Sequence, residues 1–269
     1  MLSAVIRRWA LSIPDVRYIR AIPNRILKPL HRALGLGGGV VDVLGFLMEL
    51  DPNECVDGIL WFSPNRYDQK EINFLFKNLS PNGVFVDVGS NIGFWSLRVA
   101  RVFHESTIIS IEANPNTFKI LSKNVKLNRF FNIIPVNVGV SDEVGELPLY
   151  LHDKNNRGGD SFASHAFARK CSVIVPVKPL YDVITELNLE KIDFMKIDIE
   201  GFEEKVLHQF FRTAPKKIWP KFICAEITHV PQVQKLLIDN GYQLEFSADH
   251  NSVFVNLVLP DTAAPESNY

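Results

Sequence analysis

The sequence predicts an α/β protein organised on an open sheet, and three observations carry that prediction. Val84 to Val88 is an apolar, β-branched run bounded by Pro81-Asn82-Gly83 and then by glycine, the pattern of a strand buried on both faces. A helical period follows at once, with Trp95, Val99 and Phe103 on one stripe, so a glycine turn joins a central strand to a helix. A second strand, Ile108 to Ile111, then ends in Glu112, which completes a strand-helix-strand unit.

Met1 to Leu36 patterns as helix interrupted by Pro14, Pro23 and Pro29, with a flexible joint at Gly35 to Gly39. Val40 to Leu50 and Gly58 to Phe62 read as two short strands turning at Asp51-Pro52-Asn53. Tyr67 to Leu79 is a helix, since Ile72, Leu75, Phe76 and Leu79 recur at helical spacing. After Glu112, Asn114 caps and Pro115 opens a helix over Asn116 to Asn128, with Phe118, Leu121 and Val125 inward. The third strand is Ile133 to Val140, followed by a hairpin turn at Ser141 to Gly145 and an added strand at Leu147 to Leu151. Asp153 to Ser164 is polar, glycine-bearing and too long for a plain connector, so it is a candidate active-site loop.

Val173 to Val177 returns as a strand and Tyr181 to Asn188 as a helix. The fourth core strand, Ile192 to Ile197, leads into a helix with Phe202, Val206 and Phe210 on one side. The fifth, Phe222 to Ile227, contains Glu226 and is followed by His229. A helix over Val233 to Asn240 closes at Gly241. Tyr242 to Phe246 and Val253 to Leu259 form a terminal antiparallel pair. The division expected is an N-terminal extension over 1–66, a main domain over 67–260 and a disordered tail over 261–269.

Composition narrows the function. The 269 residues are 46% hydrophobic, enough for a core of ordinary size, and the formal net charge is −1 with no charged block. An extended nucleic-acid surface is therefore not expected. Cys55, Cys171 and Cys224 are odd in number and far apart, which fits reduced thiols and a cytoplasmic location rather than a disulfide framework or a zinc finger. No run of 18 apolar residues appears. The N-terminus interleaves Arg7, Arg8, Arg17 and Arg20 with Val5, Ile6, Trp9 and Leu11; it reads either as a helix covering the domain or as a peripheral membrane attachment.

The glycine turn, Gly89-Ser90-Asn91-Ile92-Gly93, lacks the G-x-G-x-x-G spacing of a dinucleotide site, and Asp87 just before it would repel a diphosphate. A carboxylate there suits a cofactor with ammonium and sulfonium charges, such as S-adenosylmethionine. Gly89 lets backbone approach a ligand, and Asn91 tolerates a left-handed turn. Glu112 lies 23 residues after Gly89, near the ~20 at which an acid meets ribose hydroxyls. A ligand-free tight turn and a simple helix cap are the alternatives for these two features.

Val86-Asp87-Val88-Gly89-Ser90-Asn91-Ile92-Gly93, then Glu112, then Lys196-Ile197-Asp198-Ile199-Glu200-Gly201-Phe202-Glu203 resemble the FkbM family of methyltransferases, over roughly Tyr67 to Val258. The resemblance implies a class I S-adenosylmethionine-dependent enzyme: a seven-stranded, mostly parallel sheet with a terminal antiparallel hairpin and helices on both faces. It implies O-methylation of a sugar, glycolipid or polyketide-type hydroxyl. By this resemblance Asp87, Gly89, Ser90, Asn91 and Gly93 line the methionine part and Glu112 holds the ribose. Asn137, Ser141 and Asp142 border the adenine, and Asp198 lies between cofactor and acceptor.

A hydroxyl is a poor nucleophile, so a base or a metal should help remove its proton. Lys196, Asp198, Glu200 and Glu226 fall at the carboxyl ends of the fourth and fifth strands, and His229 is a further base candidate. Asp198 and Glu200 alternate with Ile197 and Ile199, which on an extended backbone puts both carboxylates on one side. Lys196 either takes part in catalysis or only neutralises these acids. It is one cation that could join them, and a hydrated Mg²⁺ is the other. The metal-free version is preferred, since Lys196 is already in the chain. The rival readings are an N-methyltransferase, a methyltransferase-like scaffold and a dinucleotide oxidoreductase. Against the first stands the absence of an Asp/Asn-Pro-Pro-Tyr run, and against the second the retained acids and lysine.

Overall fold

The computed structural model describes residues 2–13, 22–152, 156–163, 171–227 and 231–258. Helix α1 (Leu2–Ser12) turns Ile6 and Ala10 inward. A π-helical turn at Pro23–Leu27 leads into α2 (Lys28–Ala33), and Pro23 and Pro29 both sit in first turns, where a missing N–H does no harm.

β1 (Gly39–Val43) and β2 (Phe46–Leu50) form a hairpin. Its turn is Leu44-Gly45, at φ 57° and 89°, a geometry that follows the twist of the paired strands. This corrects the expected turn at Asp51-Pro52-Asn53. The expected strand Gly58 to Phe62 is also corrected: Cys55–Phe62 is helix α3, burying Leu60, Trp61 and Phe62. A short apolar run does not distinguish a buried strand from a buried helix by its period.

α4 (Gln69–Asn78) delivers the chain to β3 (Val84–Val88), of which every residue is buried. Then come α5 (Phe94–Val102), β4 (Thr107–Ile111) and α6 (Pro115–Asn128). Asn114 caps α6, its side chain accepting from Asn116 N at 2.8 Å. β5 (Ile133–Val136) stops short of the expected Val140. The Asn137 side chain donates to the carbonyls of Glu112 and Ala113, occupying acceptors that a longer strand would have used. The chain then enters a second, three-stranded sheet with β6 (Gly139–Ser141), β7 (Gly145–Tyr150) and β8 (Ser172–Pro179). Its order is β6-β8-β7, so Ser141 to Gly145 is not a hairpin turn, because β8 lies between the two strands it joins.

α7 (Leu180–Glu186), β9 (Phe194–Ile197), α8 (Glu203–Thr213), β10 (Phe222–Glu226), α9 (Pro231–Asp239), β11 (Tyr242–Ala248) and β12 (Asn251–Asn256) complete the described chain. The main sheet has seven strands in the order β11-β12-β10-β9-β3-β4-β5. β3, β4, β5, β9 and β10 run parallel, and β12 is antiparallel to both β10 and β11.

Alternation along the strands sorts side chains onto two faces. Phe85, Phe194, Phe222 and Cys224 pack toward α4, α5, α6 and the N-terminal elements. Val84, Val86, Val88, Met195, Ile197, Ile223 and Ala225 pack toward α7, α8 and α9. The first face holds Ile6, Ala10, Phe46, Met48, Trp61 and Phe62 in one cluster with the sheet, so the described N-terminal elements share its core.

The outer edge of β2 is tied down by side chains rather than by another strand. Leu47 N donates to Asn128 Oδ1, and Glu49 N donates to Asn124 Oδ1 at 2.8 Å. These asparagines are four apart on α6 and therefore project to one side. Asn124 is fully buried, and its Nδ2 donates to Ile92 O at 3.0 Å. Asn124→Ala should lower unfolding free energy by about 2–4 kcal/mol, since two backbone groups lose their partner. Urea denaturation measures it, and a change within about 0.5 kcal/mol would show that the edge is not held this way.

Candidate active site

The glycine turn is fixed to the end of β4. Gly89 N and Ser90 N both donate to Ile111 O, at 3.0 and 2.9 Å. Asn91, at φ 50°, donates its N–H to Glu112 Oε2 at 2.9 Å. Gly89 has φ 76°, and a Cβ there would lie 1.9 Å from Asp198 O, so any side chain would separate the turn from the end of β9.

Glu112 also accepts from Asn114 N at 2.8 Å. Burial pushes its pKa up to about 7 against those two N–H bonds. Its carboxylate thus organises the turn on one side and the cap of α6 on the other.

Strand register sets a buried charge cluster. Asp87, Lys196 and Cys224 are neighbours across three parallel strands. Lys196 is 4% exposed, and its Nζ donates to Asp198 Oδ2 at 3.0 Å. Burial pulls the ammonium down, but the carboxylates of Asp198, Asp87 and Asp68 outweigh it and hold the group above its ordinary value. Asp87 accepts from Ser96 Oγ at 2.7 Å, and burial raises its pKa against Lys196 and that bond. Asp68 accepts from Trp95 Nε1 at 2.8 Å, and the Trp95 ring lies 6.0 Å from Lys196 Nζ. Burial raises Asp68 as well, opposed by the Trp95 bond and Lys196.

The acidic turn after β9 differs from the expected extended run. Glu200 is left-handed at φ 55° and Gly201 follows at 97°. Fully buried Glu203 holds this bend: it accepts from Ile199 N at 2.7 Å and Gly201 N at 3.0 Å. Burial pushes Glu203 up to about 7 despite those bonds. Asp198 and Glu200 still converge, through the turn rather than through strand alternation. With Glu226 from the end of β10, each offers a carboxylate oxygen, and these atoms lie within 4.8 Å of one another.

Of the candidate loop, residues 156–163 are described, whereas 153–155 and Ser164 lie outside. The described part is pinned at three places. Arg157 donates from Nη2 to buried Asp57 at 3.0 Å and from its backbone to Glu54 at 3.0 Å. Asp160 accepts from Asn114 Nδ2 at 2.6 Å and from His152 N at 2.8 Å. Ser161 Oγ donates to Glu200 O at 2.6 Å, so the loop holds the acidic turn directly.

A cavity of about 460 Å³ lies among these parts. It is lined by Asp87, Gly89, Ser90, Asn91, Glu112, Lys196, Asp198, Glu200 and Glu226, which the structure brings together. Gly93, Asn137, Ser141 and Asp142 are not on its wall. Gly93 opens α5 against Leu121, and Asn137 is spent on two carbonyls. Ser141 and Asp142 follow the strand that left the main sheet, and Asp142 pairs with Lys205 at 2.8 Å. His229 lies outside the described residues. Sequence reasoning missed Tyr67, Asp68, Arg157 and Asp160 as cavity residues. Only the polar loop pointed toward the last two. Among the described residues, seven carboxylates line the cavity (Asp68, Asp87, Glu112, Asp160, Asp198, Glu200 and Glu226), against the cations Lys196 and Arg157. A pyrophosphate is disfavoured there and a cationic ligand favoured.

A parallel sheet with one reversed strand, and an acid-flanked glycine turn beside a strand-end glutamate, are the arrangement of the class I S-adenosylmethionine-dependent methyltransferases. The family model described as Methyltransferase FkbM domain matches residues 87–250, more than half of the chain. The chain belongs to the FkbM methyltransferase family. It is 29% identical over 203 residues to methyltransferase sdnD of Sordaria araneosa, covering 62% of this chain and 76% of that protein. It is 32% identical over 92 residues to the tRNA(Phe) (4-demethylwyosine(37)-C(7)) aminocarboxypropyltransferase of Methanocaldococcus jannaschii, covering 34% of each chain. It is 25% identical over 142 residues to the hexuronic acid methyltransferase AglP of Haloferax volcanii, covering 53% of this chain and 56% of the relative.

The raised carboxyls give the ligand-free protein a pH signature. Glu112 and Glu203 hold their protons more tightly folded than unfolded. They therefore favour the folded state most at low pH, and that contribution is lost as pH rises from about 4.5 to about 7. Urea midpoints across this window should fall less steeply with pH in Glu112→Gln and Glu203→Gln than in the unsubstituted protein. Equal slopes in all three would contradict the assignment.

Proposed function

We propose that the protein transfers the S-adenosylmethionine methyl group to a hydroxyl oxygen of a sugar, glycolipid or polyketide-type small molecule. The observation that carries this reading is the convergence of Asp198, Glu200 and Glu226 beside buried Lys196 in the cavity that the glycine turn and Glu112 also line. Glu112 receives the ribose hydroxyls, and Asp87 with the turn over Gly89, Ser90 and Asn91 borders the methionine part. A relative named for hexuronic acid methylation supports a carbohydrate acceptor. The acid-lined cavity and the net charge of −1 weigh against a polyanionic acceptor such as RNA. Free cysteines suit a cytoplasmic setting.

S-adenosylmethionine, when bound, would supply its methyl group to the acceptor oxygen and leave as S-adenosylhomocysteine. One carboxylate, Glu200 or Glu226, orients the hydroxyl and takes its proton. Alignment of the two reactants supplies much of the acceleration. Lys196 Nζ pairs with Asp198 Oδ2 at 3.0 Å, which sets an ammonium beside the three acids.

The three-acid cluster also has a donor set that suits a hard divalent ion, so the test separates the two versions. Labelled cofactor is incubated with a panel of glycans, glycolipids and polyketide alcohols. With an accepted substrate, Asp198→Asn, Glu200→Gln and Glu226→Gln should each lower turnover by about 10²-fold or more, and Asp198→Asn should also weaken cofactor binding. Turnover that survives exhaustive chelation supports Lys196 as the cation. Full loss restored by Mg²⁺ would overturn the metal-free version, and no hydroxyl methylation across the panel would count against the acceptor class.

A further inference from the structure

The first helices leave an unusual surface. α1 buries Ile6 and Ala10 but leaves Leu2, Val5 and Trp9 exposed at helical spacing. Trp9 is 70% exposed, a large ring left in water. The segment through α2 repeats the pattern with Ile26, Leu30 and Leu34, all exposed. Arg8, Arg25 and Arg32 are exposed among these apolar residues.

Charge separates this region from the rest of the chain. Residues 1–41 hold seven of the 29 Lys and Arg and one of the 30 acids, leaving 22 bases against 29 acids from residue 42 onward. A net excess of six positive charges thus sits in a protein of net charge −1. No described helix is long and apolar enough to cross a membrane. Exposed apolar stripes combined with arginine fit a helix lying in the headgroup region, with its apolar side chains inserted and its cations among anionic lipids. An exposed tryptophan suits the membrane-water boundary for the same reason.

We propose that α1 and α2 form a docking face for an anionic lipid bilayer. α1 packs on α3, and Cys55, Val56 and Ile59 of α3 line the cavity. One helix therefore separates the docking face from the active site. The proposal is independent of the acceptor's identity.

Trp9 supplies the probe. The other three tryptophans, Trp61, Trp95 and Trp219, are buried, so a change in intrinsic emission on adding vesicles reports Trp9. The full chain is mixed with phosphatidylcholine vesicles, with and without about 30% phosphatidylglycerol, and bound protein is separated by flotation. The anionic vesicles should carry the protein up the gradient and shift its emission to the blue. Both effects should be lost in about 0.5 M salt, where the Debye length is short. Trp9→Glu, and Arg8, Arg25 and Arg32 each changed to Glu in one variant, should weaken partitioning by more than about tenfold. Both variants should keep the far-ultraviolet circular dichroism and the S-adenosylhomocysteine affinity of the unsubstituted chain. Absent binding, or equal binding to neutral vesicles, would overturn the proposal. So would a lipid-free dimer that shifts Trp9 emission, because it would assign the face to a second copy of this chain.

Discussion

Everything at the carboxyl end of the sheet depends on one buried cation. Lys196 sits in the middle of the sheet, almost without solvent, and a lone charge there would be costly. Asp87 from the neighbouring strand, Asp198 two residues on and Asp68 from the segment before the sheet surround it. Burial disfavours the charged forms of Asp87 and Asp68, and the ammonium offsets part of that cost. Trp95 links the group further, donating to Asp68 while its ring lies near Lys196. The cluster thus joins the cofactor turn, the acidic turn and the N-terminal elements at one place.

Around it, backbone strain is held where three carboxylates come close together. Glu200 is kept left-handed by Glu203 from within the turn and by Ser161 from the loop above it. An extended backbone would have separated these groups differently. The loop is in turn fastened to α3 through Arg157 and to the cap of α6 through Asp160. Elements far apart in sequence therefore fix the geometry of three acids.

Features written in local chemistry were legible beforehand. The run Val84 to Val88 is buried throughout, and Asn114-Pro115 caps and opens its helix as the residue types require. Gly89 and Asn91 adopt the left-handed conformations that their types permit. The seven-stranded sheet with its reversed strand was also legible, through the resemblance of two motifs. What local chemistry does not encode was read wrongly or missed. Gly58 to Phe62 is apolar throughout, so its period says nothing, and the turn at Leu44-Gly45 depends on which runs pair. The exit of the chain after Val136 goes with Asn137 bonding to residues 24 and 25 positions earlier, and Ser141 and Asp142 are not on the cavity wall. Asp68 and Asp160 reach the site only through tertiary packing, and neither carries a motif of its own.

An acid-lined cavity, organised by Lys196 and bordered by the glycine turn and Glu112, suits a cationic nucleoside cofactor. Isothermal titration of the purified chain with S-adenosylmethionine, S-adenosylhomocysteine and NAD tests it most directly. Saturable binding is expected for the first two and none for NAD, whose pyrophosphate would meet Asp87. Tight binding of NAD with neither of the others would contradict it.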